Sequence, residues 1–126
     1  MIVGIGVDAI DIERIARMFA DRGERLLQRL FTAGEIDFLR TKPFPNQHIA
    51  VRLAAKEAAF KALRGNDLAT LIGWRDIEVV TQPDGSPSLR FHGRATARFD
   101  ELSATTAHVS LSHSAITAVA VVVIER

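Results

Sequence analysis

The chain has 126 residues, 48% of them hydrophobic and 25% charged, with a net charge of +1 and no cysteine. That length suits one domain spanning residues 1–126 around one core. The composition excludes a disordered chain, and the absence of cysteine excludes disulfides, thiolate nucleophiles and zinc–sulfur sites and fits a reducing, cytoplasmic setting.

The charge is spread unevenly, with 11 Lys and Arg against 8 Asp and Glu in residues 1–64 and 5 against 7 in residues 65–126. This is too mild for a nucleic-acid-binding surface, but it suits a local acidic partner. The first residues, MIVGIGVD, have no basic leader and do not read as a signal peptide. The longest apolar run, Ile116 to Ile124, has nine residues, where a membrane span needs about 20. No membrane association is expected.

In chain order, residues 2–7 read as a short buried strand closed by Asp8. Asp11 is expected to cap a helix to about Ala20, with a second helical stretch from Gly23 to about Leu30. Thr32 and Glu35 make a T-x-x-E capping box for a helix that ends before Pro43. Lys42 to Asn46, with two prolines, is expected to be a loop. Asn46 then caps the clearest helix, QHIAVRLAAKEAAFKALR, which Gly65 stops. An irregular stretch around Trp74 leads to a strand over Asp76–Thr81, a turn at Pro83-Asp84-Gly85, and a returning strand over Ser88–Phe91. A helix over Gly93–Leu102 and strands over His108–His113 and Ile116–Ile124 complete the chain.

The order β, helices, ββ, α, ββ has tight ββ connections, which means antiparallel pairing and an α+β class. The last strand, ITAVAVVVI, lacks polar alternation and is expected to be covered on both faces. In so small a protein, one cover can be a second subunit.

Familiar catalytic motifs are missing. Gly4-Ile5-Gly6 lacks the third glycine of a dinucleotide fingerprint, and no Walker A loop, HExxH or nucleophile elbow occurs. An enzyme built this way brings two substrates and a metal together. Asp8 shares a strand face with Gly4 and Gly6; it either caps the next helix or stands beside open space as a ligand. Glu57 and Lys61 share a helix face. They form either a solvated pair or a cation ligand beside a phosphate contact. Magnesium takes few protein carboxylates, so Asp8 and Glu57 would be enough if they converge. His108, Ser110 and Ser112 alternate with Val109, Leu111 and His113, and one histidine either bonds structurally or meets substrate. Arg14, Arg17, Met18, Arg22, Arg25 and Arg29 recur at helical steps, as a solvated basic face or as a docking strip for an acidic protein.

These segments together resemble a known family. GIGVDAIDIER resembles the N-terminal signature of holo-acyl-carrier-protein synthases, and RLAAKEAAFKAL resembles their central helix. DGSPSL resembles their turn before a strand, and HVSLSHS followed by an apolar strand resembles their C-terminal motif. The four lie in the family's order over essentially the whole chain.

The resemblance implies a group I phosphopantetheinyl transferase: an α+β fold with a small, mostly antiparallel sheet packed with helices and a site at a subunit interface. Such enzymes move the phosphopantetheine arm of coenzyme A to a serine of apo-acyl carrier protein, for fatty acid biosynthesis. They release adenosine 3′,5′-bisphosphate, require magnesium and are typically homotrimers. The resemblance implies Asp8 and Glu57 as magnesium ligands and Lys61 beside the transferred phosphate. It also implies Arg52, Gly85, Pro87, His108 and His113 along coenzyme A, and Arg14, Met18, Arg22 and Arg25 toward the carrier.

The missing nucleophile is then the carrier's serine, and Glu57 is the first candidate to take its proton, with His108 or His113 as the other possibility. Two positions depart from the family: Leu53, where an aromatic residue is frequent, and Ser114, where an acid is. A non-catalytic nucleotide- or carrier-binding module is the alternative of another class, and a transferase serving polyketide or peptide synthase carriers is a nearer one.

Overall fold

The computed structural model describes residues 1–126. Its elements are β1 (Ile2–Asp11), α1 (Ile12–Leu30), α2 (Ala33–Arg40), α3 (Pro45–Leu63), α4 (Asp67–Thr70), a 3-10 turn (Trp74–Asp76), β2 (Ile77–Thr81), β3 (Pro87–Phe91), α5 (Gly93–Glu101), β4 (Thr106–His113) and β5 (Thr117–Glu125). The strands form an antiparallel sheet ordered β1-β5-β4 and a separate β2-β3 hairpin. The class is α+β, as the sequence predicts.

The centre of the molecule is α3, buried along most of its length from Ile49 to Leu63. An alanine-rich helix allows this because small side chains let neighbours close on every side. Ala54, Ala55, Ala58, Ala59 and Ala62 join Val122 and Ile124 of β5 and Ile77 and Val79 of β2 in one apolar cluster. Ile49, Ala50, Val51 and Leu53 join Ile15, Leu30, Phe31 and Leu39 in a second. The glycines of β1 bring strand and helix together. A Cβ at Gly4 would stand 2.1 Å from the Ala62 carbonyl oxygen, and one at Gly6 would stand 1.9 Å from that of Ala58. The space that the glycines were expected to leave open is therefore filled by α3.

Several boundaries differ from expectation. β1 does not stop at residue 7 but runs to Asp11, because residues 8–11 stay paired with Ala120 to Thr117 of β5. Asp8 thus lies within a strand and caps nothing; Asp11 caps α1, its carboxylate accepting the Glu13 N–H at 3.1 Å. The two predicted helices before Leu30 are one, bent at Arg22 (φ −127°, ψ 19°) rather than broken at Gly23. Asn46 is not a cap: α3 begins at Pro45, with Phe44 before it and no side-chain cap. A proline at the first helical position has the right φ, and its missing N–H would have had no partner there. The Thr32–Glu35 capping box is present in full.

In β5 the residues Ala118, Ala120, Val122 and Ile124 are buried, whereas Val121, Ile5 and Val7 on the opposite face remain 36%, 65% and 55% exposed. Within one chain the last strand is covered on one face only.

Candidate active site

The packing of α3 on β1 decides where the acids meet. Asp8 is two and four residues beyond the glycines, so it faces the same helix. Lys61 of α3 donates to the Asp8 carboxylate at 3.0 Å and to the Val7 carbonyl at 2.9 Å. Glu57, one turn earlier, is half-buried. Its carboxyl is pushed above the usual carboxylate range by burial first and by the nearby Asp8 second, with Lys61 opposing. Two carboxylates and one ammonium therefore converge from elements far apart in sequence. No group of three or more possible metal-ligating residues occurs, so a cation here would have at most these two protein carboxylates. That donor set is hard, anionic and short of positive charge, and it fits magnesium, which keeps waters and phosphate oxygens in its shell.

Two cavities flank Glu57. One, of about 460 Å³, is lined by Asp8, Ile10, Arg14, Met18, Leu53 and Trp74 among others; the second, of about 440 Å³, is lined by Phe60, Lys61, Arg64, Ile72 and Trp74. Of the predicted docking strip, Arg14 and Met18 open onto the first cavity beside the acids. Arg22 and Arg25 line a smaller, basic hollow of about 320 Å³ farther along α1, with Leu26 and Arg29, which also line the first cavity. Arg17 turns to Glu13, 3.8 Å away.

The other predicted residues are elsewhere. Arg52 precedes Glu57 by five residues, about 140° around the helix and 7.5 Å along it, and points to the turn end of the β2-β3 hairpin. Its guanidinium donates to the Thr81 hydroxyl at 3.0 Å and lies 4.0 Å from the Phe38 ring centroid, and its buried Nε has no partner. Thr81 is paired with Pro87, and Gly85 (φ 87°) forms the turn between.

His48, which the sequence reading missed, belongs to this region. Burial first, and then Arg52, Lys42 and His113, hold its imidazole below the usual range. His113 bonds the Ser114 carbonyl through Nδ1 at 3.2 Å. Ser114 uses its hydroxyl to accept the Ile116 and Thr117 N–H groups, which shapes the turn into β5. His108 lies on the outward sheet face, where its Nε2 meets Glu125 at 2.5 Å. It opposes Val123, whereas Asp8 faces inward beside α3. The two histidines are about 17 Å apart along β4 and do not meet in one chain.

Sequence reasoning also missed Lys56 and Glu35 as a pair. Both side chains are fully buried and 2.8 Å apart. Only the capping box hinted at Glu35, and nothing in the alternation of α3 marks Lys56, because that helix has no polar face to depart from.

The protein-family model of the 4′-phosphopantetheinyl transferase superfamily matches residues 4–120. The chain is 44% identical, over all 126 of its residues and 99% of the relative, to a holo-[acyl-carrier-protein] synthase of Geobacter metallireducens. The structure resembles the crystal structure of that synthase from Neisseria meningitidis, with a TM-score of 0.88 and 27% identity over 100% of both chains. It also resembles the Bacillus anthracis synthase in complex with CoA (3′,5′-ADP), with a TM-score of 0.80 and 33% identity over 99% of this chain and 97% of the other. The chain belongs to the 4′-phosphopantetheinyl transferase superfamily.

Proposed function

We propose that this chain is a magnesium-dependent holo-acyl-carrier-protein synthase. It transfers the phosphopantetheine arm of coenzyme A to a serine of apo-acyl carrier protein and releases adenosine 3′,5′-bisphosphate. The observation that carries the reading is the meeting of Asp8, Glu57 and Lys61 beside a cavity that Asp8 and Glu57 line together with Arg14 and Met18. The coenzyme A bound by the Bacillus anthracis relative supports the substrate.

Asp8 and Glu57 would hold magnesium, which when bound offsets the charge of the pyrophosphate and of the leaving phosphate. Lys61 keeps Asp8 oriented and places a cation beside the phosphoryl group. The carrier's serine oxygen forms the new P–O bond, the pyrophosphate P–O bond breaks, and the electron pair leaves on the bisphosphate. Glu57 is assigned the serine proton. Arg14, Met18, Arg22 and Arg25 form the docking strip, whose sign suits an acidic carrier and speeds encounter.

Arg52, Gly85, Pro87, His108 and His113 are assigned to coenzyme A. Because Arg52 and Glu57 leave α3 in different directions, one coenzyme reaches both sets when a second copy supplies one of them. The outward apolar face of Ile5, Val7 and Val121 supports its being covered by another copy, in the homotrimer that the family resemblance implies.

The test is the mass of apo-acyl carrier protein after incubation with this chain, coenzyme A and magnesium. A gain of one phosphopantetheine unit is expected. Binding of the carrier or of coenzyme A with no mass gain would make the chain a non-catalytic module. Loading of synthase carrier domains in preference to the free carrier would change the partner.

A further inference from the structure

The buried pair of Glu35 and Lys56 has no part in the chemistry above, yet every polar atom of it is engaged. The three protons of the Lys56 ammonium go to Glu35 at 2.8 Å, to the Trp74 carbonyl at 3.0 Å and to the Ile77 carbonyl at 2.5 Å. Glu35 accepts the Thr32 N–H at 2.9 Å on the oxygen that meets Lys56, and the Val79 N–H at 3.0 Å on the other. A buried ion pair is a poor source of stability, because an apolar pair of similar volume frequently does as well. What it supplies is position: one ammonium fixes α2, α3, the 3-10 turn and β2 at a single point, and displacing any of them leaves a charge or a carbonyl unsatisfied.

The segment that most needs fixing is the 3-10 turn. It is the shortest of the segments joined there, with three residues; its Asp76 carboxylate accepts the Gly73 N–H at 2.8 Å, and Lys56 ties its Trp74 carbonyl to α3. Trp74 leaves it on the cavity side, where its ring packs edge-on to Phe60 at 5.2 Å. Trp74 and Glu57 are the two residues that line both cavities. Lys56 and Glu57 are neighbours on α3, about 100° apart around its axis. One side chain faces the core and holds the Trp74 backbone, while the other faces the cavities beside the Trp74 ring.

We propose that Glu35 and Lys56 are positioning residues which, through the Trp74 carbonyl, hold the indole as the wall between the two cavities beside Glu57. This rests on the assignment of Glu57 to the reaction.

Trp74 is the single tryptophan of the chain, so its emission reports its position without any assay of activity. Lys56→Met is expected to shift the emission to longer wavelength and expose it to acrylamide. It should lower kcat about 10- to 100-fold while the KM for the carrier stays within about twofold. Trp74→Ala, which leaves the ion pair intact, should reproduce the fall in kcat. If Lys56→Met does not fold, Glu35→Gln has nearly the same volume and is read in the same two ways. A folded variant with a lower Tm but unchanged emission and unchanged kcat overturns the proposal and leaves the pair as a core staple. If the wild-type chain loads no carrier, the assigned reaction fails by itself, and the emission of the variants still decides whether the pair positions Trp74.

Discussion

The two ends of α3 make opposite use of charge. At its C-terminal end Glu57 and Lys61 meet Asp8 from β1, so one ammonium offsets only part of the charge of two carboxylates. Toward its N-terminal end His48 and Arg52 gather with Lys42 and His113, and Arg52 donates only to neutral oxygens. The first end has the makings of a reaction centre. The second gathers two cations, Arg52 and Lys42, around two imidazoles, with an unpartnered buried Nε on Arg52, which gives it an electrostatic preference for an anion. In the proposed reading, one helix therefore carries both halves of the site but aims them apart.

Variants can break this comparison in order of effect. Asp8→Ala and Glu57→Ala should each lower kcat by about 1000-fold, the scale for losing a main group that stabilises developing charge. Circular dichroism should show both folded, and full transfer by either with magnesium present would remove the metal assignment. Arg52→Ala should raise the KM for coenzyme A about 10-fold, because a charge-assisted hydrogen bond contributes about 1.5–3 kcal/mol. The KM for the carrier should not follow it; equal changes in both would unite the two ends that the structure separates.

Arg14→Glu should raise the KM for the carrier by about fivefold and the KM for coenzyme A by less, with the difference shrinking in high salt. Equal effects at every ionic strength would argue against the docking strip.

The smallest effect expected is on stability. The Glu57 carboxyl is raised in the folded state, so the folded chain holds that proton more tightly than the unfolded one. Stability is then full below the ordinary value of 4.5 and is lost as pH rises from there through the raised folded value. Glu57→Gln should therefore melt slightly above wild type at pH 7.5 and level with it at pH 4. A variant less stable at both pH values would show that Glu57 helps to hold the fold.

Much of this was legible in the chain itself. Local signals placed the capping box at Thr32, the end of α3 near Gly65, the turn at Asp84-Gly85 and the last two strands, because each depends on residues close in sequence. The charged residues of the candidate reaction centre, Asp8, Glu57 and Lys61, were visible in the sequence. The cluster around His48 was not, since Lys42 lies before the helix and His113, 65 positions on, belongs to β4. Asn46 misled because a good capping residue sat next to a proline that starts the helix one position earlier.

By itself, the sequence determined the α+β class, the element order and the motifs that carry the family resemblance. Those follow from hydrophobic period, capping chemistry and turn residues, all short-range. Only the tertiary structure decided that Gly4 and Gly6 are where α3 lies against β1, that this contact sets Asp8 beside Lys61, and that Lys56 turns inward to Glu35. The reason is steric and electrostatic: how close two backbones come, and which charge a buried ammonium finds, depend on partners that no local pattern specifies.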